Sequence, residues 1–131
     1  MYLLDTNACI RFLNKSSKKL LDRIRSEDPA NIALCSITKA ELLYGARHSM
    51  KIPENLRLLE RFFAPFVSFP FDDLCADHYA TIRAELAAQG NPIGPYDLQI
   101  AAIARTHDLT LVTHNTREFS RVIGLRLEDW E

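Results

Sequence analysis

Five short apolar runs alternate with helical stretches along this chain of 131 residues, and that alternation narrows the folds open to it. Tyr2-Leu3-Leu4 forms the first run, Asn31 to Ile37 the second and Phe66 to Phe71 the third. Leu109 to Thr113 and Leu125-Arg126-Leu127 complete the set. Between them, Ala8 to Leu13 and Ser17 to Arg25 carry helical spacing, with Leu20, Leu21 and Ile24 on one side. Thr38 opens a helix that runs to about Ser49, and Pro53 starts another that Pro65 ends. Asp72 to Gln89 reads as a long helix closed by Gly90, and Pro95 to His107 as a further one. Strands that are apolar throughout are buried on both faces, which is the habit of a parallel sheet covered by helices. The expectation is one three-layer α/β/α domain over residues 1–131, with a central parallel sheet of about five strands.

Composition agrees with such a core. A hydrophobic content of 47% is far above that of disordered chains. Cys9, Cys35 and Cys75 are odd in number and far apart, without a C-x-x-C or a Cys/His cluster, so they read as buried thiols in a reducing compartment. The segment Met1 to Cys9 lacks a basic stretch and meets Asp5 after three apolar residues, unlike a signal peptide. No run approaches a membrane span of ~18 apolar residues. A cytoplasmic location is therefore expected. Net charge is −1, which supplies no global field for nucleic acid. Residues 1–25 nonetheless hold six bases, among them Arg11 and Lys19, against Asp5 and Asp22. A solvated helix face explains such a run as well as a phosphate-docking face does.

In an open α/β sheet, ligands bind outside the carboxyl ends of the strands, so acids that do chemistry should follow strands. They do. Asp5 follows the first strand directly, Glu41 lies one turn into the helix after the second, and Asp97 stands in the first turn after Gly94-Pro95. Asn115 and Glu118 follow the fourth strand. Each also fits a local role: Thr38-x-x-Glu41 and Asn115-x-x-Glu118 match capping boxes, Asp97 suits a helix dipole, and Asp5 can cap the turn through Thr6 and Asn7. Taken together, the local roles fall short. Asp5 sits in an apolar stretch where an unpaired carboxylate costs several kcal/mol. Arg117 is the one cation near in sequence. Carboxylates that meet without cations repel, and an all-oxygen set suits Mg²⁺ or Mn²⁺ better than Zn²⁺.

Four local patterns then carry a resemblance. Leu4-Asp5-Thr6-Asn7, Ile37-Thr38-x-x-Glu41-Leu42-x-Tyr44-Gly45, Ile93-Gly94-x-x-Asp97-x-x-Ile100-Ala101-Ala102 and Leu111-Val112-Thr113-x-Asn115-Thr116-Arg117-Glu118-Phe119 look like the successive signatures of PIN-domain proteins. Their order and spacing resemble the VapC toxins of bacterial toxin–antitoxin pairs, across essentially the whole chain. The ending Gly124-Leu125-Arg126-Leu127-Glu128-Asp129-Trp130 is similar to that subgroup too. The resemblance implies a Mg²⁺-dependent endoribonuclease, usually a homodimer, that a VapB-type antitoxin holds inactive in a hetero-oligomer. It makes Asp5, Glu41 and Asp97 the metal-binding acids. The fourth acidic position is Asn115 here, a neutral and weaker ligand, and Glu118 one turn later can supply the missing charge. Such toxins often target the anticodon stem-loop of initiator tRNA, which becomes the expected RNA.

Thr6, Asn7 and Thr113 sit beside the acids and can hydrogen-bond water or a phosphate, or else cap helices. Of the four histidines, His48 and His107 fall near helix C-termini and His78 on a helix face; His114 alone sits at the proposed site, as an RNA contact. The alternatives are a metal-free ribonuclease, a non-catalytic PIN-like RNA- or protein-binding module with a degenerate metal site, and a phosphoacceptor domain. The last lacks an acidic pair near the N-terminus and a Lys after a late strand.

Overall fold

The computed structural model describes all residues from Met1 to Glu131. Five parallel strands form one sheet: β1 (Tyr2–Leu4), β2 (Ile32–Cys35), β3 (Val67–Phe69), β4 (Thr110–Val112) and β5 (Arg126–Glu128). Seven α-helices connect and cover them: α1 (Thr6–Leu13), α2 (Lys18–Ser26), α3 (Ser36–Arg47), α4 (Ile52–Phe63), α5 (Asp73–Ala88), α6 (Pro95–Thr106) and α7 (Thr116–Phe119). The strand order is β3-β2-β1-β4-β5. The chain therefore builds outward from β1 to β3, then returns to the other side of β1 with β4. Tyr2 pairs with Ile32 on one flank and with Thr110 on the other. The carboxyl ends of β1 and β4 thus mark the point where strand order reverses, the place where open α/β sheets bind ligands.

The expected architecture holds, and the strands show why. Alternate residues of one buried strand feed opposite cores. Leu3, Ala33, Cys35 and Leu111 pack with α5 and α6, while Leu4, Ile32, Leu34 and Val112 pack with the apolar sides of α1 to α4. Both faces are thereby dry, at about 1.5–3 kcal/mol for each fully buried Leu or Ile. All three cysteines are buried and free, as expected. No helix is long and apolar enough to cross a membrane.

Boundaries shift where a cap acts. Helix α1 begins at Thr6 rather than Ala8, because the Asp5 carboxylate accepts from the Ala8 N–H at 2.8 Å and caps it. Asp72 likewise precedes α5 and accepts from the Cys75 N–H at 3.1 Å. Gly90 closes that helix at a φ of 69°, which glycine adopts without strain. A short 3₁₀ turn at Pro29–Asn31 and the single-turn α7 were too brief to leave a periodic signal.

Candidate active site

Asp5 stands at the reversal point. Its N–H donates to the Val112 carbonyl at 3.1 Å, which clamps the end of β1 to β4. Only 4% of the residue is exposed. Burial pushes its carboxyl up from the ordinary 3.8; the Thr113 hydroxyl and Ala8 N–H pull it down, while Glu131 and Glu41 push it up. Asp5 therefore caps a helix and also belongs to a cluster of acids.

Glu41 reaches the cluster from α3. The capping box expected from Thr38 and Glu41 does not form. Helix α3 already starts at Ser36, with Cys35 at the cap position and no side-chain cap. Thr38 is consequently inside the helix and fully buried, 3.1 Å from the Thr6 hydroxyl, and accepts from the Cys35 thiol at 3.6 Å. That junction ties α1 to α3 and leaves Glu41 past the first turn, half-buried, with no capping role.

Asp97 lies in the first turn of α6, whose cap position is Gly94. Its carboxyl is pushed up to about 6, by burial first and then by the charges of Glu118, Asp5 and Glu41. The second expected capping box fails as well. Asn115 precedes α7 without capping it; its amide nitrogen donates to one Glu118 carboxylate oxygen at 2.7 Å. The other Glu118 oxygen accepts from the Gly94 N–H at 3.3 Å. Glu118 is thus aimed at the start of α6, beside Asp97.

The structure gathers Asp5, Glu41, Asp97 and Glu118 into one mutually repelling group, yet the carboxylate oxygens of Asp5, Glu41 and Asp97 do not close to within 4.8 Å of one another. The trio that does is His114, Asp129 and Glu131, where the tail after β5 passes His114. No salt bridge reaches Asp5, Glu41, Asp97 or Glu118. Unneutralised oxygen donors of this kind fit a hard divalent cation.

Of the other expected residues, Asn7, His114 and Asn115 line a cleft of about 470 Å³ with Asp5. Thr113 is buried and accepts from the Asn115 N–H at 3.0 Å. Thr6 meets Thr38. Sequence reasoning missed Arg11, which also lines the cleft and pairs with Glu131. It named Arg117 as the nearby cation, whereas Arg11 is the one that enters. The signal was present: Asn7, Ile10 and Arg11 recur at helical spacing on one side of α1, and Asn14 at its C-cap continues that side.

This sheet, with acids at its reversal point, defines a PIN domain, and that family matches residues 2–125. The chain is 42% identical over 129 residues to the tRNA(fMet)-specific endonuclease VapC of Shigella flexneri, covering 98% of this chain and 97% of the relative. It is 40% identical to Ribonuclease VapC2 of Haemophilus influenzae, with the same coverage. The solved structure of DNA-bound VapBC from Salmonella typhimurium superposes with a TM-score of 0.92 at 39% identity, over 99% of this chain and 98% of that one. VapBC2 from Rickettsia felis, bound to a DNA fragment from their promoter, gives 0.89 at 35%, with coverage of 99% and 98%. The chain belongs to the PIN-domain family, within its VapC ribonucleases. PIN-domain nucleases generally depend on divalent metal ions.

Proposed function

We propose that this VapC-type ribonuclease hydrolyses RNA phosphodiester bonds at the β1/β4 end of its sheet, with Asp5, Glu41 and Asp97 holding Mg²⁺. Mn²⁺, another hard cation with oxygen preference, substitutes. The observation that carries this reading is the gathering of Asp5, Glu41, Asp97 and Glu118 at one end of the sheet with no side-chain cation paired to any of them. A cation held there by Asp5, Glu41 and Asp97 would neutralise charge on the scissile phosphate and lower the pKa of an attacking water.

The chain's own groups do the positioning. The Ala8 N–H and the Thr113 hydroxyl hold the Asp5 carboxylate in place beside the cleft. Glu118, held by Gly94 and Asn115, supplies the charge that the neutral Asn115 lacks. Asn7 and His114, which line the cleft with Asp5, contact the RNA, and Thr6 and Thr113, the neighbours of Asp5 in sequence and by hydrogen bond, complete the substrate-binding set. Water adds to phosphorus and the 3′ oxygen departs with a proton. The products are a 5′-phosphate and a 3′-hydroxyl.

The relatives' names suggest the wider setting. The RNA is initiator tRNA, as for the Shigella enzyme. The chain acts as one PIN-like unit over residues 1–131, in the cytoplasm, as the toxin of a type II pair. A VapB-type antitoxin neutralises it, as in the VapBC complexes, in a hetero-oligomer built on a toxin homodimer. Mapping RNA ends after incubation with purified protein tests the chemistry. Cleavage with Mg²⁺, loss of cleavage in EDTA and 5′-phosphate ends are expected. Cyclic 2′,3′-phosphate ends formed in EDTA would mean that the 2′-hydroxyl attacked, and would overturn the metal reading. Folded protein that cleaves no RNA would favour the non-catalytic binding module instead.

A further inference from the structure

The Asp5 cleft contains a cationic side whose charge the protein occupies with its own carboxylates. The Arg11 guanidinium, on the cleft-lining side of α1, donates from Nε to Glu131 Oε1. The second Glu131 oxygen lies 3.9 Å from Nδ1 of His114, and Asp129 Oδ2 lies 3.0 Å from the same nitrogen. Lys19 donates to the Glu131 backbone carbonyl at 3.3 Å, and the neighbouring Trp130 is buried beneath Arg23, whose guanidinium lies 4.3 Å from the ring. Trp130 thereby anchors this segment, which holds the Glu131 carboxylate against Arg11 of the cleft wall.

A carboxylate on an Arg fork takes the place that a phosphate takes, since both accept parallel N–H bonds in one plane. An RNA strand that brings a phosphate to Asp5 brings the same kind of anion to the same cation. The Arg11 side chain is 42% exposed and open to an incoming anion, whereas the Glu131 carboxylate that it holds is only 9% exposed, so a phosphate must displace a largely buried partner. We propose that Arg11 is an RNA-phosphate contact of this cleft, and that Glu131 occupies its guanidinium until the RNA displaces it. The proposal rests on the ribonuclease reading above and adds to it a binding residue and an internal competitor.

Anisotropy of a short fluorescein-labelled single-stranded RNA, titrated in EDTA with the full chain, reads binding apart from cleavage. Arg11→Gln should raise Kd roughly three- to tenfold and lower the salt slope by about 0.7, the value of one single-strand phosphate contact. Glu131→Gln should lower Kd by a similar factor. The double variant should bind like Arg11→Gln, because no guanidinium remains to be released. Arg11→Lys should restore the salt slope, which a purely structural role would not move. With Mg²⁺, Arg11→Gln should raise KM and leave kcat near wild type.

An unchanged Kd and salt slope in Arg11→Gln would overturn the proposal, as would a Glu131→Gln gain that persists in the double variant. Should Glu131→Gln loosen the tail by circular dichroism, the Arg11→Gln and Arg11→Lys pair decides with Glu131 intact. Wild-type protein that neither cleaves nor binds RNA would fell the ribonuclease reading and this one with it. Wild-type cleavage beside an indifferent Arg11→Gln would fell this one alone.

Discussion

The Gly94 N–H donates to the Glu118 carboxylate across 3.3 Å, joining the start of α6 to α7. Gly94 precedes the turn that carries Asp97, so this bond places a second acid against Asp97 from a segment about twenty residues later. Glu118→Gln keeps the size and one acceptor oxygen but removes the charge. Divalent-metal affinity and cleavage should fall roughly 10- to 100-fold, the usual scale for losing an outer partner of a metal site. Asn115→Ala removes only a neutral amide and should cost less. Calorimetric Mn²⁺ titration with initial cleavage rates gives the ranking; the reverse order would leave Glu118 as a tether for α6 alone.

Asp97 should make the metal-free protein lose stability as pH rises. Its carboxyl is pushed up from 3.8 to about 6, so between those values the folded state holds a proton that the unfolded chain has released. The stability from that proton is fully present below 3.8 and is lost as pH rises through about 6. Without metal, Tm should decline over that window, and Asp97→Asn should flatten the decline. Added Mg²⁺ should reverse it above pH 6, where the carboxylate is free to ligate. Differential scanning calorimetry from pH 4 to 8, with EDTA and with Mg²⁺, checks both signs.

Asp5→Asn separates the cap from the cluster. Asparagine caps helices as well as aspartate does, and its oxygen can still accept from the Ala8 N–H. Metal-free Tm should hold or rise, because repulsion with Glu131 and Glu41 is relieved and a buried charge is gone. Cleavage should collapse, and the rise in Tm on adding Mg²⁺ should largely vanish. In cells, the wild type should be toxic without its antitoxin and the variant tolerated. A folded variant with near wild-type cleavage would remove Asp5 from the site.

Strand and helix alternation, the buried sheet, the thiols, the positions of Asp5 and Glu41 after strands and that of Asp97 in the first turn of a helix were all legible along the chain. They depend on periodicity and on chain order, which neighbouring residues express by themselves. The two capping-box patterns, offered only as local alternatives, do not cap, for the opposite reason. A Thr-x-x-Glu pattern caps only where a helix begins, and tertiary packing began α3 two residues earlier, sending Thr38 to Thr6. Glu118 likewise took the nearby Asn115 side-chain amide and, from 24 residues earlier, the Gly94 N–H, which only the placement of α7 beside the start of α6 brings within reach.

The basic surplus of residues 1–25 shows the division most clearly. Composition identified it but could not say what meets it. Strand β5 adds beside β4 and returns the acidic tail to α1 and α2, where Glu131 meets Arg11 and Glu128 lies 3.6 Å from Arg23. Arg11 and Glu131 are 120 residues apart in the chain. Local propensity acts over a few residues, whereas Coulomb attraction acts through space. The sequence therefore determined which charges exist and which elements carry them, and sheet order alone decided which of them face one another.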